Sequence, residues 1–172
     1  WVFILISGFM EIALSFAREG ANVIVCDYKK ENAERTAEEI KSLGVSVMTA
    51  VCDVRDREKI FDFVSDAIKR FGKIDVLVNN AGGSAGLLGK LSKFVDAEPS
   101  TLDFVIDTNI KGAMNCTQAV LKNMMENNGG HIINMASIAG ITGLVDRVDY
   151  SASKAALIGM CKALAMEVGA YN

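Results

Sequence analysis

Short apolar runs alternate with longer amphipathic ones along the chain. Val2–Ile6, Asn22–Cys26, Val45–Val51, Ile74–Val78 and His131–Met135 are rich in valine and isoleucine and nearly continuous in hydrophobicity. Such runs suit parallel strands covered on both faces, because a half-exposed strand would alternate apolar and polar positions. Between them, apolar residues recur every three or four positions over Glu11–Glu19, Lys30–Leu43, Asp56–Phe71, a long stretch from Ser100 to Asn127, and Val148–Val168. That period predicts helices. Gly20, Gly44 and Gly72 each follow a helical run, where a left-handed cap is expected. Pro99, the only proline, precedes a helix start, with Ser100 or Thr101 available as its cap. Strand–helix alternation of this kind predicts right-handed βαβ units and one doubly wound α/β domain over residues 1–172.

Composition narrows the functions open to such a domain. The 172 residues suffice for one core. At 51% hydrophobic and 23% charged, the chain is not disordered. With 18 basic and 21 acidic residues the net charge is −3, which attracts neither nucleic acid nor anionic lipid. The densest charges, Lys29 to Glu39, mix both signs and read as a solvated helix face. No run approaches the roughly 20 apolar residues that cross a membrane. Val2–Ile6 lacks a basic leader or cleavage site, so it reads as a buried strand. Cys26, Cys52, Cys116 and Cys161 are scattered without a C-x-x-C pair, which fits buried thiols in a reducing cytoplasm. The single His131 has no companion ligands, and no metal site is expected. A chain that starts at Trp1 instead of Met suggests a processed or incomplete product.

Candidate chemistry gathers where strands end, the edge at which doubly wound sheets bind ligands. Asp27 follows the second run; a carboxylate there can accept from ribose hydroxyls and repel a 2′-phosphate, favouring NAD over NADP. A helix cap would use the same residue. Asp53, in Cys52-Asp53-Val54, can take an adenine amino group or cap the next helix. Asn79-Asn80-Ala81-Gly82 follows the fourth run, where small residues admit a cofactor and amides brace neighbouring strands. Tyr150 and Lys154 stand four apart at the head of the last helix, so both side chains share one face. A phenol has a pKa of about 10 in water. An ammonium beside it favours the phenolate and makes it a usable acid or base near neutrality. The spacing alone proves little. Its company in fixed order, with Asn109 and Ser137 upstream, carries more weight.

These residues together resemble the short-chain dehydrogenase/reductase family, from the first strand to the end of the chain. The resemblance implies a Rossmann-type fold and an NAD(H)-dependent oxidoreductase that interconverts a secondary alcohol and a ketone. It implies a catalytic set of Asn109, Ser137, Tyr150 and Lys154. Tyr150 would exchange a proton with the substrate oxygen, Lys154 would lower the Tyr150 pKa and hold the nicotinamide ribose, Ser137 would polarise the substrate, and Asn109 would hold a relay water. Cofactor contacts would fall on Gly8, Asp27, Asp53, Val54, Asn80, Ala81, Gly82, Tyr150 and Lys154. Homodimers or homotetramers are implied, packing the long helix and the Tyr150 helix. Met114, Val120, Met124, Leu157, Met160 and Leu164 could face a partner or the domain's own sheet.

Two stretches depart from the family's pattern. Its glycine-rich loop, T-G-x-x-x-G-x-G, corresponds here to Ser7-Gly8-Phe9-Met10-Glu11, which is shorter and has one glycine. Those glycines let the backbone approach a pyrophosphate. The chain also closes at Gly169-Ala170-Tyr171-Asn172, where the family continues into another strand and a substrate-covering segment. The competing expectations are therefore a scaffold subunit or fragment that cannot bind NAD, and an NADP-dependent 3-oxoacyl carrier-protein reductase. Asp27 counts against the second. The loop Ile138 to Asp149, apolar with a few charges, fits many small ketones.

Overall fold

A computed structural model describes residues 2–6 and 10–171. Five strands, β1 (Val2–Ile6), β2 (Asn22–Asp27), β3 (Val47–Val51), β4 (Val76–Asn79) and β5 (His131–Asn134), form one parallel sheet in the order β3-β2-β1-β4-β5. The order reverses between β1 and β4, the switch point at which ligands bind in such sheets. Register carries Ile6 opposite Cys26 on one side and Asn79 on the other. The sheet is the doubly wound, Rossmann-type arrangement expected from the alternation.

Helices cover both faces, which is why the strands are apolar throughout. On one face α1 (Met10–Arg18) and α2 (Lys30–Lys41) bury Ala13, Leu14, Ala17, Ala33 and Ile40 against Val23, Val25, Val76 and Val78. On the other, α3 (Arg57–Phe71) and α5 (Gly112–Glu126) bury Ile60, Val64, Cys116 and Val120 against Ile24, Cys26 and Leu77. Successive side chains point alternately to the two faces, so β2, β3 and β4 each feed both cores. Gly20, Gly44 and Gly72 take φ of +82°, +80° and +83°, as their places after helical runs predicted.

Several boundaries differ from the sequence reading. β3 starts at Val47 and β4 at Val76, two residues later than expected. Pro99 is the first residue of α4 (Pro99–Ile106), and Glu98 precedes it, so neither Ser100 nor Thr101 is the cap. The long fourth helix is not continuous. It runs as α4, a π-helical turn at Asp107–Lys111, and α5. Three short helical segments that lacked a periodic signal, α6 (Ala139–Thr142) and 3-10 turns at Ala85–Leu88 and Phe94–Asp96, fill the connections. The last helix, α7, spans Val148–Val168 as expected.

Candidate active site

The π turn decides where Asn109 points. A π turn widens the helix by one residue and commonly marks functional positions. Here it buries Asn109 to 1% exposure. Its Oδ1 accepts the Gly83 N–H at 2.9 Å, and its Nδ2 donates to Gly83 O at 3.1 Å and to Ser153 Oγ at 2.8 Å. Ser153 in turn donates to Tyr150 O at 2.8 Å. One amide therefore ties the loop after β4 to the helix that carries Tyr150. Oδ1 has a second lone pair that the Gly83 contact does not use.

Gly82 closes against this brace. Its φ is +152°, and a Cβ there would lie 2.5 Å from Asn109 Oδ1 and 3.7 Å from Lys154 Nζ. Asn109, Gly82 and Lys154 thus meet at one point. Lys154 is buried, donates from Nζ to Met135 O at the end of β5, and sits 5.6 Å from the centroid of the Tyr150 ring. Burial pushes its ammonium below the ordinary lysine value. Tyr150 and Ser137 are half-buried. Ser137 Oγ accepts the Ala139 N–H at 3.1 Å, so its own hydroxyl proton is left to donate elsewhere.

Gly140 was not singled out from the sequence. A Cβ on it would lie 2.7 Å from Ala155 N and 2.7 Å from Lys154 C, so only glycine lets α6 rest on α7 at this level. Ser137, three residues earlier, is held over α7 by that contact.

The other end of the strand edge is built differently. Asp27 is the last residue of β2, is buried, and accepts the Lys29 N–H through Oδ1 at 2.8 Å. It braces the turn into α2 without being its cap residue, which is Lys29. Asp53 is not the cap of α3 either: Asp56 fills that role, accepting the Lys59 N–H at 3.2 Å. Asp53 instead accepts from Arg55, at 2.9 Å from its N–H, 3.0 Å from Nε and 2.6 Å from Nη2. The Arg55 guanidinium, bonded to the Asp53 carboxylate, holds that carboxyl below the usual range, and it lies 4.9 Å from the Phe104 ring centroid. Val54 is buried; Gly112 makes room for it, since a Cβ there would come 2.5 Å from Val54 Cγ2.

Asn79 braces strands as expected: its Nδ2 donates to Asn134 Oδ1 at 2.8 Å and Thr117 Oγ1 at 3.0 Å. Asn80 and Ala81 are half-buried, and Ala81 packs against the α3–α5 core. Gly8 and its neighbours Ser7 and Phe9 lie outside the described residues. Among the described residues no cluster of three or more His, Cys, Asp or Glu could hold a metal ion, and no helix is long and apolar enough to cross a membrane. Val120, Met124 and Leu157, offered as interface residues, belong to the interior, while Met114 is 47% exposed.

A small cavity of about 10 Å³, room for one water, lies between the start of α4 and the start of α7. Thr101 Oγ1 and Asp149 Oδ2, both buried and without a hydrogen-bond partner among the described residues, are on residues that line it.

Comparison with known proteins gives this arrangement a lineage. The short chain dehydrogenase family model matches residues 7–172. The chain is 41% identical over 160 residues to (2S)-((R)-hydroxy(phenyl)methyl)succinyl-CoA dehydrogenase subunit BbsD of Thauera aromatica, covering 92% of this chain and 62% of that protein. It is 40% identical over 159 residues to the 3-oxoacyl-(acyl-carrier-protein) reductase FabG of Thermotoga maritima, covering 92% and 63%. The chain thus spans less than two thirds of these relatives' length. An NAD+-bound xylitol dehydrogenase structure superposes with a TM-score of 0.93 at 31% identity, over 99% of this chain and 66% of that one. The chain belongs to the short-chain dehydrogenase family.

Proposed function

We propose that the chain is the catalytic core of an NAD(H)-dependent oxidoreductase interconverting a secondary alcohol and a ketone. The single observation that carries this is the convergence of Asn109, Gly82, Lys154 and the Tyr150 helix at one point on the carboxyl edge of the sheet. The residues fit an adenine dinucleotide at both described ends. The buried Asp27 carboxylate would accept from the ribose hydroxyls, Asp53 and Val54 would meet the adenine, and Asn80, Ala81 and Gly82 would line the cofactor's path along the strand edge. Tyr150 and Lys154 would hold the nicotinamide ribose. The pyrophosphate would meet residues around Gly8, outside the described residues.

Bound nicotinamide supplies the hydride chemistry. The chain's own groups handle the proton and the orientation. In ketone reduction the Tyr150 hydroxyl would give its proton to the substrate oxygen, and in alcohol oxidation it would take that proton back. Ser137, already accepting from Ala139, donates its hydroxyl proton to the same oxygen and fixes its position. The Lys154 ammonium, held by Met135 O, supplies positive charge behind the tyrosine. Asn109 is a positioning residue, with one lone pair for a relay water. The chain works in the cytoplasm as a homodimer or homotetramer, with the exposed Met114 and Met166 available to a second copy.

Tyr150→Phe tests the assignment. Turnover should fall by about 10²–10⁴-fold while NADH affinity stays near the parent value. Retained turnover would sink the reading. The 40% identity to a 3-oxoacyl-(acyl-carrier-protein) reductase favours a second reading, an NADP-dependent reductase of that class. Titration with NADH and NADPH by nicotinamide fluorescence separates them, since the buried Asp27 predicts tighter NADH. Binding of neither would leave the scaffold reading.

A further inference from the structure

The scattered cysteines of the sequence are not scattered in the fold. Cys26, Cys52 and Cys116 share the core between the sheet and the α3–α5 layer. Cys26 is the penultimate residue of β2, and Cys52 is the first residue beyond β3. Register pairs Cys26 with Ala50, which puts Cys26 and Cys52 on the same face, two residues out of step. The Cys26 thiol donates to Cys52 O at 3.7 Å, and the Cys52 thiol to Asp53 O at 3.4 Å.

Parallel strands about 4.8 Å apart, rising about 3.3 Å per residue, put residues two out of step about 8 Å apart between Cα atoms. A disulfide closes below about 7 Å. Bridging this pair therefore requires a short approach of the two strand ends. β3 is an edge strand and Cys52 lies past its end, so one backbone bond, Cys52 N–H to Asp27 O at 3.0 Å, bears most of the adjustment. Asp27 and Asp53 are the residues immediately after the two thiols, and they move with them.

We propose that Cys26 and Cys52 form a redox modification site, where a peroxide converts the thiol pair to a disulfide and displaces Asp27 and Asp53 from the positions that receive adenosine. The interaction between the neighbouring Cys26 and Cys52 side chains raises the Cys26 pKa and lowers that of Cys52, which favours Cys52 as the attacking sulfur. Its thiolate attacks one peroxide oxygen; an S–O bond forms, the O–O bond breaks, and hydroxide leaves to take up the Cys52 proton as water. The Cys26 sulfur then attacks the sulfenic sulfur. The S–S bond forms, the S–O bond breaks, and the departing oxygen leaves as water with the Cys26 proton. Two thiols are oxidised by two electrons and one peroxide becomes two waters. Cys52 is 6% exposed and Cys26 fully buried, so the site admits small oxidants only. A bridge closed under strain is readily reduced, which makes the change reversible.

The effect on adenosine rests on the proposed function; the disulfide does not. The experiment uses the chain with Cys161→Ser, which removes the exposed thiol. Graded hydrogen peroxide is followed by alkylation, intact mass and peptide mapping, with ADP-ribose affinity read by calorimetry. The expected result is loss of two hydrogens, a Cys26–Cys52 crosslinked peptide, an affinity lower by about tenfold, and reversal by dithiothreitol. Cys26→Ala should carry oxygen on Cys52, form no bridge and keep its affinity. A bridge through Cys116, no bridge before unfolding, or undiminished affinity in the bridged chain would overturn the proposal. If the reduced chain ignores ADP-ribose, the functional reading and the regulatory half fall together, while the mass readout still decides the disulfide.

Discussion

The two ends of the strand edge hold their polar residues by different means. At the Asp27–Asp53 end, proposed above to receive adenosine, Asp27 is fixed by Lys29 and Asp53 by Arg55, each a partner two residues away. At the Tyr150 end, Asn109 is fixed by Gly83, 26 residues back, and Ser153, 44 residues ahead. Local partners come with the turn itself and survive loosening of the rest. Distant partners exist only when β4, the π turn and α7 are all in place. The adenosine end should therefore tolerate substitution, and the Tyr150 end should transmit it.

Gly140→Ala should have the largest effect. The added Cβ meets backbone atoms of α7 at 2.7 Å, and backbone cannot rotate away as a side-chain tip can. Lifting α6 should cost about 3 kcal/mol, at the upper end of overpacking penalties, and should lower turnover by displacing Ser137. Urea unfolding and steady-state rates measure the two. An unchanged midpoint would mean that α6 is not seated on α7 in solution.

Asn109→Ala comes next. It removes three hydrogen bonds at a site 1% exposed and strands the Gly83 and Ser153 partners. A loss of about 2 kcal/mol is expected from unsatisfied buried groups. Asn109→Asp keeps the acceptor for Gly83 N–H but loses the donors, so it should fall between parent and alanine only if the brace works as drawn. An alanine variant as stable as the parent would dissolve the contrast between the two ends.

The same contrast explains what could be read from the chain itself. The parallel, two-faced sheet followed from continuous Val and Ile runs separated by amphipathic ones, while its strand order came only from the structure. The left-handed glycines followed from their places after helical runs. Asp27 and Asp53 were legible as strand-end carboxylates, but cap and ligand readings call for the same residue type; the structure removes the cap reading, since Lys29 and Asp56 hold the cap positions. Asn109 looked like part of one long helix because a π turn leaves the apolar period almost intact. Gly140 went unremarked because its reason for being glycine is a neighbour fifteen residues away in sequence. The thiol cluster was invisible for the same cause: Cys26, Cys52 and Cys116 are brought together by three different elements.

Lys154 offers a test in pH. Burial lowers its folded pKa below the ordinary 10.5. Between the lowered value and 10.5 the unfolded chain binds more protons than the folded one, so stability rises with pH across that interval. Lys154→Met should flatten the rise while abolishing turnover, read as thermal midpoints across alkaline buffers. A slope that persists in the variant would assign the effect to another group.

The smallest effect belongs to the adenosine end. Arg55 pairs with Asp53 at 2.6 Å, but the two side chains are 42% and 38% exposed, so solvent screens the pair to about 0.2–1 kcal/mol. The Asp53 pKa is lowered, first by its hydrogen bond to Arg55. Its contribution is therefore present above the unfolded carboxylate value of about 3.9 and is lost as pH falls through the lower folded one. Arg55→Ala should sit slightly below the parent in thermal midpoint at neutral pH and converge with it on acidification. The two curves should meet without a change in Asn109-dependent stability, because the Asp53 clamp shares no partner with that brace. A gap between them that persists in acid would mean Arg55 stabilises chiefly through its contact with the Phe104 ring, 4.9 Å away, and that the adenosine end too depends on a distant element.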